Sequence, residues 1–182
     1  VAYEADGKTG ETPLHWSASC DDVEAIEALL RNGADINALG GVITGGTPLH
    51  DAVIFNMKKA QKALLAAGAA YDLWIAAGSN RHDLVLEMFD KSGNLRTDAP
   101  AVPGMPEEDP QFKINWSFFV CCNGNLETAK FLYPKISEHG RLPDGKTMLD
   151  LAIQHKETAM VDYLRSIGLK TCAEMEASNE QS

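Results

Sequence analysis

Several features are scarce or missing in this 182-residue sequence, and each absence excludes a class of protein. It has no apolar run of roughly 18 residues, so no segment is expected to cross a bilayer as a helix, and its start is not a signal peptide. Only 16 residues are Lys or Arg against 26 Asp or Glu, a net charge of −10. Without a basic stripe, neither nucleic acid nor an anionic membrane surface is expected as a partner.

Cysteine is also scarce: Cys20, Cys121, Cys122 and Cys172 form no disulfide framework, which favours a reducing cytoplasm. The adjacent Cys121 and Cys122 are interpreted as two reduced side chains of which one packs inward; a redox or metal role is the alternative. No histidine has the spacing of a zinc site, so no metal is expected.

A duplicated motif is the main positive signal. Thr12-Pro13-Leu14-His15 returns 35 residues later as Thr47-Pro48-Leu49-His50, and Gly33 and Gly68 each lie 21 residues after the threonine of their copy. A threonine hydroxyl can cap a helix, proline suits the first helical position, and glycine can take the left-handed turn that ends a second helix. The spacing predicts tandem helix-turn-helix units.

This pattern resembles the ankyrin repeat, a unit of about 33 residues that opens with Thr-Pro-Leu-His. The resemblance implies an all-α solenoid of about five helix-turn-helix units forming a single domain over residues 1–182. The predicted repeats span approximately 12–46, 47–70, 71–93, 115–140 and 147–169. It also implies that His15 and His50 hydrogen-bond the backbone of a neighbouring turn. The residues assigned a structural role are Thr12, His15, Gly33, Thr47, His50, Gly68, Thr147 and Gly168.

The middle of the array departs from this pattern. Repeat three lacks the Thr-Pro-Leu-His signature, and so few residues separate Gly68 from its first helix that the projecting finger between repeats should be missing there. Repeat four is expected to begin with a helix from Trp116 to Cys122. Before it, residues 92–114 carry four prolines and almost no helical periodicity, which predicts an inserted loop, either a flexible connection or a binding loop.

Both ends carry predictions as well. Asp6-Gly7 is a hairpin-turn dipeptide directly before repeat one, so the chain is expected to begin in the finger of an earlier repeat, as a fragment of a longer array. Residues 171–182 form a polar tail that should fray. The chain is also similar to bacterial ankyrin-repeat proteins with a glycine-rich finger before the second motif.

Three alternatives remain open for that finger, residues 40–46. Its glycines could present Val42 and Ile43 at an exposed tip, the two side chains could pack against the next finger, or the loop could hold a phosphate, although it contains no Lys or Arg.

The resemblance places the partner contacts of each repeat at the residue before the motif threonine and at the two residues that follow the alanines at the end of the first helix. Ile54 and Phe55 stand out, because apolar residues at an outward position suggest a covered surface; local packing of Phe55 under the finger is the alternative. Three further residues, Gly46, Gly78 and Cys122, also occupy outward positions but are not included among the candidate partner-binding residues. The candidate partner-binding residues are Glu11, Ser19, Cys20, Val42, Ile43, Ile54, Phe55, Ser79, Asn123, Lys146, Gln154 and His155.

One sequence motif suggests catalysis. Residues 140–147 match the phosphate-loop pattern G-x-x-x-x-G-K-T, but a repeat helix rather than a strand precedes them, and Thr147 already opens repeat five. No catalytic, cofactor-binding or metal-binding residue is therefore assigned. The predicted function is a non-catalytic, cytoplasmic module that binds another protein; the alternative is a regulatory or targeting fragment of a larger enzyme, with catalytic residues elsewhere or in the 92–114 loop.

Overall fold

Five consecutive pairs of short helices dominate the computed structural model, which describes residues 4–5, 8–40, 45–138 and 145–179. The pairs are α1 Pro13–Ser19 with α2 Val23–Arg31, α3 Pro48–Ile54 with α4 Lys58–Ala66, α5 Leu73–Gly78 with α6 His82–Glu87, α7 Pro110–Val120 with α8 Leu126–Leu132, and α9 Met148–Gln154 with α10 Thr158–Ser166. The predicted solenoid of five helix-turn-helix units is confirmed. Across these described ranges, no helix is long and apolar enough to span a membrane.

A residue with left-handed backbone separates the two helices of every pair. The five residues, with φ between 56° and 99°, are Asp21, Asn56, Asn80, Gly124 and Lys156. After the second helix, Gly33, Gly68 and Gly168 are left-handed as well, with φ of 82°, 88° and 84°. Asparagine, aspartate and glycine are the residues that take this conformation most readily. The backbone therefore follows the register that the sequence predicts.

The histidines of the duplicated motif connect neighbouring repeats. His15 Nδ1 accepts the Thr12 N–H at 3.1 Å, so its proton lies on Nε2, which donates to Gly46 O at 3.1 Å. Burial lowers the pKa of His15, which keeps the ring neutral at physiological pH. The Thr12 hydroxyl lies 2.9 Å from His15 Nδ1, and the Thr47 hydroxyl lies 3.0 Å from His50 Nδ1. Each threonine therefore contacts the histidine ring of its motif in addition to its place at the start of the helix.

The second histidine has a different partner from the one predicted. His50 Nδ1 accepts the Thr47 N–H at 3.1 Å, while Nε2 lies 3.5 Å from the Asp72 carboxylate and the ring stacks on Trp74. Asp72 reaches this position because it caps α5, where it accepts the Ile75 N–H. The expected hydrogen bond from His50 to the backbone of a neighbouring turn is therefore corrected: the ring contacts the Asp72 and Trp74 side chains of repeat three, and its backbone partner is Thr47 of its own repeat.

Replacing His50 with alanine should lower the free energy of unfolding by about 1–3 kcal/mol, because the Thr47 N–H and the Asp72 carboxylate each lose a partner. Urea denaturation measures the change. His155→Ala is the control, since His155 Nδ1 has no hydrogen-bond partner among the described residues. Equal midpoints for His50→Ala and the unmodified chain would contradict the connecting role.

The inserted segment is shorter than predicted and is built into the core. Asp109 caps α7 by accepting the N–H groups of Gln111 and Phe112, so the helix begins at Pro110, and the predicted loop of 92–114 ends at 109. Residues 96–109, here called the strap, bury Val102 to 4% exposure among the core residues of repeats one to three. The strap is therefore anchored to the core at Val102, while most of its other residues are exposed, and the choice between a flexible connection and a binding loop stays a prediction.

The strap lies where a finger is missing. Only residues 67–72 separate α4 from α5, as the short connection predicted. Val102 and Met105 belong to the same apolar cluster as Ala69 and Ala70 of that connection. A Cβ added at Gly104 would come within 2.9 Å of Leu39, a residue of the first finger. The strap therefore packs beside the first finger, at the place that the second one leaves open.

Two apolar clusters make up the core. One holds buried residues of repeats one to three, including Leu14, Ile26 and Leu49, and the other holds residues of repeats three to five, including Phe118 and Leu149. Tyr71 and Trp74 pack against both. The degenerate repeat three thus joins the two halves through its aromatic side chains.

The two ends form more structure than predicted. Strands β1 Glu4–Ala5 and β2 Lys8–Thr9 pair antiparallel around the predicted turn at Asp6-Gly7, a dipeptide outside the described residues. The expected frayed tail is wrong over residues 172–179, which form α11 Cys172–Asn179. Thr171 caps this helix by accepting the Glu174 N–H, and Arg165 pairs with Glu174 at 3.1 Å.

Repeat five attaches α11 through the position that holds histidine in repeats one and two. The Asp150 carboxylate accepts the N–H groups of Thr147 and Cys172, both at 2.9 Å. Burial opposes ionisation of Asp150, but these two N–H groups, together with the Thr147 hydroxyl and the charge of Lys146, outweigh it and lower the pKa. In repeat one the His15 ring donates a hydrogen bond to the backbone of the next segment, at Gly46 O. In repeat five the Asp150 carboxylate accepts one from the backbone of the next segment, at the Cys172 N–H.

Candidate functional site

The predicted partner-binding residues end the first helix of each repeat or precede it, and the structure divides them by exposure. Those that are exposed are Cys20, Phe55, Lys146 and Gln154. Those that are half-buried are Glu11, Ser19, Ile54, Ser79 and His155. Gly46, Gly78, Cys122 and Asn123 are buried, so the expectation that these four positions face solvent is wrong. Val42 and Ile43 lie outside the described residues.

Phe55 is the most exposed apolar side chain among these positions. It is the residue directly after α3, and 44% of its surface is exposed beside the half-buried Ile54. The alternative, packing of Phe55 beneath the finger, involves residues 41–44, which lie outside the described residues, and stays a prediction. An aromatic side chain that remains exposed at such a position is available to a partner.

Trp16 is a second exposed aromatic residue, and sequence reasoning did not select it. It is 64% exposed, whereas the residues at the same position of the next three repeats, Asp51, Ile75 and Phe119, are 1%, 0% and 3% exposed. Trp16 and Cys20 are four residues apart and so share one face of α1. The signal was available in the sequence, as a large aromatic residue in the first repeat of the array.

Gly78 explains why positions in repeats three and four are buried. A Cβ added at Gly78 would overlap Val53 Cγ1 of repeat two and would lie 3.5 Å from Val120 of repeat four. Because glycine has no side chain, the two flanking repeats meet across repeat three. The Asn123 amide then donates to Val53 O at 3.0 Å. Asn123 therefore holds repeats two and four together, and its predicted partner contact is corrected to this structural role.

Repeats two and five also meet. Lys58 Nζ lies 3.2 Å from the Glu157 carboxylate, although 99 residues separate them. Glu157 reaches Lys58 by passing over Gly124, where a Cβ would come within 2.5 Å of a carboxylate oxygen. The helix-turn-helix turns of repeats two to five consequently converge.

A cavity of about 410 Å³ lies at this convergence and is here called the turn cavity. It contains two of the predicted partner-binding residues, Ser79 and Asn123. Its walls come from repeats two to five: Lys58, Gln61, Lys62, Leu65, Gly78, Ser79, Asn80, Arg81, Asn123, Gly124, Asn125 and Glu157.

The cysteines and the phosphate-loop match carry no chemistry in this arrangement. Cys121 and Cys122 are both buried, whereas only one was expected to pack inward, because the helix tightens into a 3-10 turn at Cys121–Asn123. Burial raises the pKa of Cys122 to about 12 and that of Cys121 well above its usual value, so both thiols stay protonated. Of the phosphate-loop match, residues 140–144 lie outside the described ranges. The Thr147 hydroxyl lies 2.8 Å from an Asp150 carboxylate oxygen and 3.1 Å from Lys170 O, so its single proton is used between these two acceptors.

Comparisons with known proteins find repeat-containing relatives. A family model described as ankyrin repeats (3 copies) matches residues 2–75. Palmitoyltransferase AKR1 of Candida albicans is 35% identical over 114 residues, which are 63% of this chain and 13% of that protein. Inversin of Mus musculus is 28% identical over 172 residues, which are 90% of this chain and 15% of that protein.

Among solved structures, the human ASB11 ankyrin repeat domain matches with a TM-score of 0.42 and 21% identity, covering 88% of this chain and 71% of that one. The chain spans only 13% and 15% of the length of the two curated relatives. Their activities as whole proteins therefore do not transfer with the matched region.

Proposed function

Because residues 2–75 match the ankyrin-repeat family model and helix pairs of the same kind continue to Ser166, we propose that the chain is a non-catalytic module that binds another protein through the concave surface formed by its finger and first helices. Repeat arrays present extended surfaces to which each unit contributes a few side chains. The observation that carries the proposal is Phe55, which stays 44% exposed at an outward position of repeat two. An exposed aromatic residue is the usual anchor of a protein interface.

The proposed contact set keeps the predicted residues that are exposed or half-buried, retains Val42 and Ile43 from outside the described residues, and adds Trp16. Asn123 is left out because its amide is used between repeats. The net charge of −10 supports a protein partner rather than nucleic acid or an anionic membrane, and the free cysteines support a reducing cytoplasm. The contact set is Glu11, Trp16, Ser19, Cys20, Val42, Ile43, Ile54, Phe55, Ser79, Lys146, Gln154 and His155.

A regulatory or targeting part of a larger enzyme is the second candidate. It is favoured by the palmitoyltransferase relative, of whose length this chain spans 13%. In that case the repeats would still bind a protein surface, and the chemistry would belong to another part of the molecule. The buried, protonated thiols of repeat four support a non-catalytic role for the repeats in both candidates.

Phe55→Ala should reduce capture of a specific partner by at least about tenfold, since a buried aromatic anchor contributes about 2 kcal/mol or more to an interface. The immobilised 182-residue chain and the variant are incubated with cell extract, and the bound proteins are quantified by mass spectrometry.

Phe112→Ala is the matched control. Phe112 is 42% exposed, close to the value for Phe55, but it lies at the start of α7, away from the proposed contacts. A partner of the proposed surface is lost with Phe55→Ala and kept with Phe112→Ala. If every captured protein behaves the same with both variants, Phe55 does not anchor an interface.

A further inference from the structure

Apolar contacts rather than hydrogen bonds hold the strap in place. Val102 is its one buried residue, Ala99 and Met105 are half-buried, and the others are exposed. Over residues 97–108, no hydrogen bond joins the strap to another segment that the structure describes. The strap is therefore attached at its two ends and, between them, by a few apolar side chains.

A tight turn brings the two main apolar side chains of the strap together. The Met105 N–H donates to Val102 O at 3.2 Å, and Gly104 between them has a φ of 81°. Proline at the first central position and glycine with positive φ at the second are typical of a type II turn, and Pro103 and Gly104 provide them. Val102 and Met105 both pack in the apolar cluster of repeats one to three. The strap thus presents two apolar anchors across a preformed turn.

The surface under this turn is here called the strap site and lies where the second finger is missing. Leu39 of the first finger is beside Gly104, and Ala69 and Ala70 of the short connection belong to the cluster that Val102 enters. Two alanines in sequence bring little apolar volume of their own. A larger apolar side chain from outside the connection is therefore needed to complete the packing there.

The charges around the strap site oppose the strap. Partial loss of water around the carboxylate raises the pKa of Glu108, and the nearby Asp72 carboxylate adds to the increase, while Lys113 and His50 oppose it. Glu108 lies between two further acidic residues, Glu107 and Asp109. A segment with a basic residue in the place of Glu108 would be attracted to Asp72 instead of repelled.

We propose that the strap is displaceable, and that the strap site binds a segment of a partner protein with two apolar side chains across a proline-glycine turn, followed by a basic residue. The strap itself shows which side chains fit, and Asp72 favours a charge opposite to that of Glu108. The net charge of −10 favours a basic partner in the same way. This inference rests on the proposed function, because it names the kind of protein segment that the repeats bind.

Fluorescence anisotropy with three labelled peptides tests the site on the whole chain. The basic probe has the sequence of residues 99–110 with Glu107→Lys and Glu108→Lys, the second peptide keeps the natural sequence, and the third is the basic probe with Val102→Asp. The basic probe should bind the Val102→Ser chain at least about tenfold more tightly than the unmodified chain, because losing the apolar anchor releases the competing strap. The natural peptide should bind more weakly, and the third peptide should not bind.

Ala101→Ser is the matched control. Ala101 is the exposed neighbour of Val102, so this variant adds the same hydroxyl without removing an anchor, and it should bind the basic probe as the unmodified chain does. Equal binding of the probe by the Val102→Ser and unmodified chains would overturn the displacement. Equal binding of the probe and the third peptide would reduce the effect to general attraction by an acidic chain and overturn the site.

A second measurement needs no substitution in the chain. Excess basic probe should displace the strap of the unmodified chain, so glutamyl endopeptidase should cleave after Glu107 severalfold faster, while the third peptide should leave the rate unchanged. An unchanged rate with the basic probe would overturn the proposal whether or not Val102→Ser folds. If the peptides fail while Phe55→Ala still abolishes capture, the strap site is wrong and the proposed function stands.

Discussion

Replacing Asp51 with asparagine should stabilise the chain by about 3–5 kcal/mol at pH 8 and by only about 1–2 kcal/mol at pH 5. Asp51 is 1% exposed, and neither carboxylate oxygen has a hydrogen-bond partner among the described residues. Burial raises its pKa to about 7; the nearby Glu11 adds to the increase, and His50 opposes it. Asparagine keeps the shape of the side chain and removes the charge.

The direction with pH follows from proton binding. In the unfolded chain the pKa of Asp51 is about 4, so between about pH 4 and pH 7 the folded state holds more protons than the unfolded state. Stability therefore falls as the pH rises through this window and changes little above it. Groups that do not interact with Asp51 titrate in the same range, but their contributions cancel in the difference between the chain and its Asp51→Asn variant; Glu11 and His50, which do interact with it, contribute to that difference.

Urea denaturation of both proteins at pH 5 and pH 8 measures this difference. Asp51→Leu extends the test, because Ile75 and Phe119 occupy the same position of repeats three and four and are buried. Leucine should therefore be at least as stabilising as asparagine at pH 8. A difference between the chain and Asp51→Asn that does not change with pH would mean that the carboxylate stays solvated.

Gly78→Ala should destabilise the chain by about 2–3 kcal/mol, the cost of forcing an extra carbon into a packed core. The new Cβ would overlap Val53 and push repeat two away from repeat four, which would also strain the hydrogen bond from Asn123 to Val53 O. Chemical denaturation measures the loss.

A double-mutant cycle identifies the cause. Val53→Ala alone should cost stability by leaving a cavity, but combined with Gly78→Ala it should recover about 1–2 kcal/mol, because each change compensates for the other. Strictly additive effects would show that the close contact between Gly78 and Val53 is not what limits the packing.

Local backbone chemistry made the fold predictable. The threonines and the left-handed glycines at Gly33 and Gly68 act within their own repeat, so they can be recognised without knowledge of the rest of the molecule. The same applies to α11, whose Thr171 and Glu174 have the spacing of a capping pair; that signal was present and was not used.

The candidate site was less predictable because it depends on contacts between distant segments. Whether Asn123 faces solvent is decided by the absence of a side chain at Gly78, 45 residues earlier. Burial of Val102 depends on the finger that is missing between repeats two and three. The sequence predicts that Phe55 occupies an outward position, but whether its side chain is exposed depends on how the neighbouring segments are arranged.

The contacts between non-adjacent repeats bear on how the chain folds. An ideal solenoid behaves as a one-dimensional series in which each unit is held by its nearest neighbours and can unravel from either end. Here Val53 contacts repeat four and Lys58 contacts repeat five. Val102 of the strap packs in the apolar cluster of repeats one to three. These contacts join repeat two to repeats four and five and the strap to the first half of the array, so we expect unfolding to be more cooperative than that of an ideal solenoid.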